Sequence, residues 1–486
     1  MREIILIQPK AGAWEKMGAR LPTGLLSIAA IPYNQGYKVK IIDQRTDVNW
    51  KKTLINSLKN NPLCVGLTCM TGKQIFYAIE ASKIVKKHSA VPVIWGGVHA
   101  TLLPEQTLEN EYVDLIVLRE GEITFAELVN ALEKNESLKK IKGIYYKQDG
   151  KIIKNVERNF IKNLDDLPEL PYELVRISDY SSLNIEGTSL DFVSSRGCPF
   201  ACSFCYNCHF NKRTWRAFSA KEVVKRLKSL VEKYKIKTIY FQDDNFCADL
   251  NRLKEILQGI IRENLNIKWG TLGLRVDTAK KMDEEILHLM EKSGCVNVDI
   301  GAESGSKRIL ELIDKKITVK DLLEVNKKLS KYPFIIKYSF IVGFPTETNK
   351  EMFSTIKIAL RIVKENKNGY TPVFVYTPYP GSPMYNFAKS QGFIPPKNLE
   401  EWSKFSYDDW YFNFKSWSSP LQIRKLKSIS FTSLFSNKKI KYKINKFLIR
   451  ILFDLYHPLA KFRFKNNFHF LPIDSLISKK ILGDKF

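Results

Sequence analysis

Short apolar runs rich in Val, Ile and Leu recur along the first part of the chain, each followed by polar stretches or by apolar residues at helical spacing. Residues 2–9, 37–44, 63–70, 91–97 and 113–120 read as strands, and residues 25–36, ending at Gly36, and 123–135 as helices. Strands alternating with helices predict a parallel, doubly wound sheet. Ligands of such sheets sit at the carboxyl ends of the strands, here Pro9-Lys10, Asp43, Thr68 to Thr71, Gly96 to His99 and Glu120 to Glu122. The rhythm breaks after residue 140. Residues 141–155 resemble a hairpin about Asp149-Gly150, and residues 164–174 carry Pro168 and Pro171, as a linker would. Alternation then resumes, with strands over 189–195, 237–244, 267–273, 295–304, 334–344 and 370–380 and helices such as 221–234 and 280–294. Six β/α units predict a partial or complete TIM-type barrel with its chemistry at the strand C-termini. The expected class is therefore α/β. A Rossmann-like sheet spans 1–140, a linker 141–188, a barrel 189–385, and a basic, mostly helical region 386–486.

Composition narrows the picture. With 486 residues, 44% hydrophobic and 12% aromatic, the chain can bury more than one core, which excludes a disordered protein. No apolar run reaches the roughly 18–20 residues of a spanning helix. The N-terminus enters strand-like residues with no signal-peptide pattern, so a cytoplasmic protein is expected, with peripheral contact at the inner membrane face as an option. Eight cysteines are too few for a disulfide scaffold, and four crowd between Cys198 and Cys208. Such crowding suggests metal ligation in a reducing compartment.

Cys198, Cys202 and Cys205 form a C-x3-C-x2-C loop directly after the first barrel strand. Three thiolates can hold three irons of a [4Fe–4S] cluster and leave the fourth iron open to another ligand. A structural zinc completed by Cys208 or His209 is the other reading, although zinc sites usually pair two such motifs and no second pair follows. Cys247 and Cys295 read as buried small residues.

The loop, with Phe204 before its last cysteine, resembles the radical S-adenosylmethionine (SAM) superfamily, and the sheet before it resembles the cobalamin-binding domain often fused to it. The likeness covers most of residues 1–385. Ser195 to Pro199, Arg213, Arg216 and Glu222 follow the family's usual run; so do Phe241 to Phe246, Gly294-Cys295 leading to Ile300 to Ser304, Ile341 to Thr348, and Thr377 to Pro383. The resemblance implies that SAM chelates the open iron and is cleaved to a 5′-deoxyadenosyl radical, which abstracts hydrogen from an unactivated carbon while the protein positions the reactants. It assigns SAM contacts to Phe204, Asp243, Asp244, Arg275, Glu303, Ser304, and the backbone at Gly343 and Pro345, with Cys208 left out of the cluster. It also implies an electron donor such as flavodoxin or ferredoxin.

In the N-terminal sheet, Gly96-Gly97-Val98-His99-Ala100-Thr101 and Arg119 to Phe125 resemble the family's cobalamin-binding segments. Pro22 to Leu26 also fits. The resemblance assigns Thr68, Thr71, Gly96, Gly97, His99, Thr101, Glu120, Gly121 and Glu122 to cobalamin. The D-x-H-x-x-G motif whose His ligates cobalt in other cobalamin proteins is absent, so cobalt is expected to lack such a lower ligand. A supporting sheet without cobalamin is the plainer alternative. The fused arrangement implies methyl transfer from cobalamin to a substrate carbon. Some relatives instead carry out cyclisation or other C–H chemistry without methyl transfer.

The net charge of +26 is uneven: residues 421–486 hold 15 Lys/Arg against 3 Asp/Glu, or +12. Within them Ile440, Ile444, Phe447, Leu448, Ile451, Leu452 and Leu455 recur at helical spacing, with Lys441, Lys443, Lys446 and Arg450 largely elsewhere on the turn. The pattern predicts a basic amphipathic helix, either packed on the barrel or lying on an anionic membrane, which would suit a hydrophobic or lipid-linked small-molecule substrate. Phe462, Phe464, Phe468 and Phe470 interleave with basic residues, but no recognised nucleic-acid module is present, so an RNA-modifying role ranks last.

Overall fold

In the computed structural model of the chain, residues 3–12, 19–180, 189–405, 417–437 and 447–469 are described. They fall into two compact units, Met1–Ser181 with Pro395–Ser406, and Ser182–Ile394 with Tyr407–Phe486.

The first unit is built on β1 (Glu3–Gln8), β2 (Lys38–Asp43), β3 (Cys64–Thr68), β4 (Val93–Gly96), β5 (Leu115–Val117), β6 (Ile144–Gln148) and β7 (Lys151–Lys154), in the order β2-β1-β3-β4-β5-β6-β7. The first five are parallel, as the alternation predicts. Every residue of β1 is buried, because helices cover both faces of the sheet. The hairpin β6–β7, which falls inside the expected linker, extends this sheet in antiparallel fashion. Ile144 and Tyr146 give it an inward face in the same core as Ile4, Leu6 and Phe125, and Asp149 and Gly150 both take the positive φ of a tight hairpin turn. The helical region expected from 386 onward also departs from expectation. Its stretch 395–405 belongs to the first unit, where the Trp402 indole is fully buried and donates to Gln106 Oε1 at 2.6 Å, and Asn110 donates to Glu400 at 2.7 Å.

The second unit comprises β8 (Ser189–Phe192), the short pair β9 (Ser195–Arg196) and β10 (Arg216–Ala217), then β11 (Thr238–Phe241), β12 (Lys268–Arg275), β13 (Cys295–Glu303), β14 (Ile335–Val342), β15 (Gly369–Tyr370) and β16 (Val373–Val375). Apart from β9 and β10, the strands are parallel and lie in chain order, β8-β11-β12-β13-β14, with β15 and β16 both on the far edge of β14. This is the partial β/α barrel expected. The intervening helices start where the sequence places a capping side chain. Ser219, Asp249, Asp283, Ser306, Thr318 and Thr348 each accept a bond from a first-turn N–H.

Helices Pro420–Phe435 and Phe447–Lys465 complete this unit. The second packs through Phe453, Tyr456, Ala460 and Phe464, with Phe453 stacked on Phe435 at 5.2 Å. That is a different stripe from the one the sequence suggests: Ile451 is exposed and Leu455 is 73% exposed. Rings on Phe431 and Phe435 favour an aromatic counter-face over an aliphatic one. Ile440, Ile444, Lys441, Lys443, Lys446 and Phe470, and the side chains of Phe447, Leu448 and Leu452, lie outside the described residues. Among the described residues no helix is long and apolar enough to cross a membrane.

Candidate functional site

The cysteine loop runs from β9 to β10, which pair only with each other, and the antiparallel pairing of Arg196 with Arg216 and Ser195 with Ala217 closes its base. Gly197 opens it with φ +81°, and a side chain there would overlap the Thr214 carbonyl oxygen. Its N–H donates to Asp244 Oδ2 at 3.0 Å. Further along, Ser203 N–H donates to the Ile313 carbonyl at 2.9 Å and Met384 N–H to the Ser203 carbonyl at 2.8 Å, which ties the loop to the body of the unit.

All three thiols meet N–H donors, two from side chains and Cys205 from the Asn207 backbone. Asn245 Nδ2 lies 3.6 Å from Cys198 Sγ, and Arg275 Nη1 donates to Cys202 Sγ at 3.1 Å. Burial raises the Cys198 thiol and pushes Cys205 up to about 12, so the loop favours neutral sulfur unless cations arrive. Cys208 stays near the other three, its thiol donating to the Cys202 carbonyl at 3.4 Å. Donors aimed at the sulfurs suit an iron–sulfur cluster held by thiolates, because N–H···S bonds offset the charge of the ligands.

Around the loop the expected SAM residues divide. Asp244 is exposed, with Tyr206 donating to its Oδ1 at 3.3 Å. Asp243, expected beside SAM, is instead buried under the loop. It accepts from Ser194 N at 2.7 Å, Ser194 Oγ at 2.6 Å and Ser195 Oγ at 2.7 Å, and burial pushes its carboxyl up to about 6 against those bonds. Ser304 has no exposed surface, and its hydroxyl serves Thr355 at 3.1 Å and the Ser306 N–H at 3.1 Å. The backbone assigned to SAM at Gly343 and Pro345 has no N–H free for it. Gly343 and Phe344 N–H both donate to Glu347 Oε2, at 2.6 and 3.1 Å, and Pro345 has no N–H to give. Burial pushes Glu347 up to about 8 despite these bonds. Phe204 contacts Phe344 edge-on at 6.2 Å, and Phe344 stacks on Tyr376 at 4.9 Å, so an aromatic wall runs from the cysteine loop into the core.

Glu303 ends β13 with φ +62°, at a register shift against β14. Its carboxylate pairs with Lys315 Nζ at 2.7 Å, the two side chains only 8% and 5% exposed. Gly301 makes room, since a side chain there would overlap the Glu303 carboxylate. Lys315 was not apparent from sequence. Its backbone carbonyl accepts from Arg275 Nη2 at 2.8 Å, so Cys202, Arg275, Lys315 and Glu303 form one connected line.

In the first unit the strand order reverses between β1 and β3, the crevice where open α/β sheets bind ligands. Gln74, which sequence reasoning passed over, bridges its two lips by donating to the Pro9 carbonyl at 3.2 Å and accepting from Met70 N–H at 2.6 Å. The helices starting at Lys73, Val98 and Glu122 follow Gly72, Gly97 and Gly121 and carry no side-chain cap, in contrast to the second unit. Gly97 has φ +89°, and a Cβ there would lie 2.9 Å from Thr68 Oγ1 and from both polar backbone atoms of Cys69. Thr68, Thr71, Gly96 and Gly97 thus share one edge.

The other expected cobalamin residues are drawn inward. His99 is fully buried, edge-on to Trp402 at 5.6 Å; its Nδ1 lies 3.0 Å from Thr71 Oγ1, and its Nε2 has no hydrogen-bond partner among the described residues. Burial lowers its pKa to about 3, so the imidazole is neutral. Thr101 is buried and accepts from Arg119 N–H at 2.9 Å. Glu120 accepts from Ile161 N–H at 2.8 Å, Glu122 accepts from Ser27 at 2.7 Å, and Gly121 packs against Ile28 and Val117. These residues shape the edge from beneath.

Residues 192–359 match the family model of the radical SAM superfamily, and residues 20–129 that of the B12 binding domain. A protein of Pyrococcus horikoshii named uncharacterized methyltransferase PH0819 is 34% identical over 450 residues, covering 91% of this chain and 94% of that protein. The anaerobic magnesium-protoporphyrin IX monomethyl ester cyclase of Cereibacter sphaeroides is 27% identical over 401 residues, 80% of this chain and 64% of that one. Among solved structures, the cobalamin-dependent SAM radical enzyme OxsB, with aqua-cobalamin and SAM bound, superposes with a TM-score of 0.70 at 20% identity, over 99% of this chain and 75% of that one. The radical SAM methyltransferase TsrM from Kitasatospora setae, with cobalamin and a [4Fe–4S] cluster bound, gives 0.67 at 16% identity, over 82% and 81%. These two likenesses concern the fold. With both family models matched and a relative aligned nearly end to end, the chain belongs to the radical SAM superfamily, in the group that carries a B12 binding domain, and its cofactors are a [4Fe–4S] cluster, SAM and cobalamin.

Proposed function

We propose that the chain transfers a methyl group to an unactivated carbon of a hydrophobic or lipid-like small molecule, with electrons from a flavodoxin or ferredoxin. When bound, the cluster supplies the electron that cleaves SAM and cobalamin carries the methyl group. Cys198, Cys202 and Cys205 hold the irons, and the N–H donors of Asn245 and Arg275 stabilise two of the sulfurs as thiolates. Asp244, exposed next to the loop, accepts the SAM amino group, and Phe204 with Phe344 forms the apolar side of its pocket. Glu303, held by Lys315, faces the ribose. In the first unit Thr68, Thr71, Gly96 and Gly97 let the corrin approach backbone at the edge of β3 and β4. The observation that carries this reading is the cysteine loop with N–H donors aimed at its sulfurs.

Anaerobic reconstitution tests it. The protein should bind iron and sulfide and retain cobalamin, and SAM labelled in its methyl group should pass label to product. Cleavage of SAM by a Cys202→Ala variant at the wild-type rate would remove the cluster assignment. A cyclisation or other C–H reaction is the second reading, supported by the cyclase relative; unlabelled product with one new ring would favour it. The exposed residues Ile451, Leu455, Leu459 and Phe462, flanked by Lys461 and Lys465, support peripheral contact with anionic lipid. Co-sedimentation with phosphatidylglycerol vesicles, weakened by Leu455→Ser with Phe462→Ser, checks that contact.

A further inference from the structure

The resemblance assigns Arg275 to SAM, whose carboxylate is the group a guanidinium would grip, yet its guanidinium is almost wholly committed elsewhere. Nε donates to Asp277 Oδ1 at 2.9 Å; Nη2 donates to Asp277 Oδ2 at 3.1 Å and to the Lys315 carbonyl at 2.8 Å; and Nη1 donates to Cys202 Sγ at 3.1 Å. Four of five N–H groups are thereby used. A bidentate grip on a carboxylate needs two free groups on one edge, and only one remains. The planar group also lies over the Phe200 ring, 3.7 Å from its centroid, and Arg275 is buried. The guanidinium is therefore fixed from several sides with one N–H directed at a cluster sulfur.

We propose that Arg275 is a positioning residue that sets the reduction potential of the cluster. Resting on the cluster reading above, the argument is electrostatic. Reduction adds one negative charge to the cluster, and a permanent cation hydrogen-bonded to a ligating sulfur in a buried site stabilises the reduced form more than the oxidised one. Asp277 opposes this effect. Its carboxylate balances the guanidinium, but it is partly exposed and therefore partly screened, whereas Arg275 is not. The cation and its counter-charge thus pull the potential in opposite directions. The bond to Cys202 also fixes that side chain toward the cluster.

The test is an anaerobic redox titration of the reconstituted, SAM-free enzyme, followed by electron paramagnetic resonance, with iron and sulfide counted for every variant. Arg275→Gln is expected to retain iron and lower the midpoint potential by a tenfold change in the reduction equilibrium, about 59 mV for one electron. Arg275→Lys keeps the charge and should shift it less. Asp277→Asn removes the counter-charge and should move it upward. Where Arg275→Gln loses iron, the Lys and Asn variants carry the comparison. Intact iron with an unchanged SAM-free potential overturns the proposal, and so does a shift of the same sign in Arg275→Gln and Asp277→Asn. An unchanged potential together with weakened SAM binding would return Arg275 to the carboxylate. Absence of bound iron in the wild type would instead count against the cluster reading itself.

Discussion

Replacing Lys315 by Met should destabilise the second unit sharply while leaving the cluster loop loaded. The Lys315–Glu303 pair is 2.7 Å long, with side chains 5% and 8% exposed. Removing the ammonium strands a carboxylate that is itself only 8% exposed. Breaking such a buried pair costs about 3–5 kcal/mol, because the remaining charge keeps its desolvation penalty without its attraction. For a body of this size, 1 kcal/mol moves Tm by about 2–4 °C, so a fall of about 10 °C is expected. The connection to the cysteines should survive, since Arg275 bonds the Lys315 backbone carbonyl and not its side chain. Restoring neutrality in Lys315→Met/Glu303→Gln should recover about 2 kcal/mol, within the range of coupling between contacting residues. Anaerobic scanning calorimetry of the reconstituted enzyme, with iron content measured alongside, reads all three quantities. A single variant within about 2 °C of wild type, or a double variant no more stable than the single, would refute the reasoning.

Three further outcomes follow from other features. Gly197→Ala should cut bound iron to less than half, since a left-handed residue costs about 1–2 kcal/mol and its side chain meets the Thr214 carbonyl; full iron in that variant would sink the idea. His99 titrates at 6.5 when unfolded and near 3 when folded, so its contribution is whole above pH 6.5 and is lost as pH falls below it, by up to about 1.4 kcal/mol per pH unit. Urea unfolding of His99→Gln at pH 7 and pH 5 should therefore show a shallower loss than wild type, and equal slopes would contradict this. Asp321 caps a helix with Thr318 and pairs with Lys280, which together hold its pKa near 2 against an ordinary 3.8. Its stabilisation is present above pH 3.8 and fades toward pH 2. Asp321→Asn should cost about 1 kcal/mol at pH 7 and almost nothing at pH 2, as acid unfolding curves would reveal.

Much of the fold was legible because its strands are continuous apolar runs, a pattern that parallel sheets with both faces covered impose. The cysteine loop was legible because ligand spacing survives in the linear order. Side-chain commitments were less so. Asp243 and Asp244 are adjacent acidic residues at one strand end, and only the fold turns the first under Ser194 and Ser195 and leaves the second in the open. Lys315 and Lys316 are equally alike in sequence, yet the second is 76% exposed and the first closes over Glu303. In the helix Phe447–Lys465 two apolar stripes compete at the same period, and the choice between them was made by aromatic rings on another helix. Each of these outcomes depends on contacts distant in the chain, which local periodicity does not encode.

The stretch 395–405 gives the first unit a peculiar biosynthetic history. Its sheet is complete in the chain by residue 154, but Trp402, the ring that seals His99, arrives some 250 residues later. At about 5–20 residues per second, the ribosome exposes an unsealed first unit for on the order of ten seconds or more before the closing piece emerges. A fragment ending before residue 395 is therefore a protein with an open seam. Excising the first unit as residues 1–181 would leave the same gap, so any attempt to study cobalamin binding apart from the barrel must graft the 395–405 segment back on.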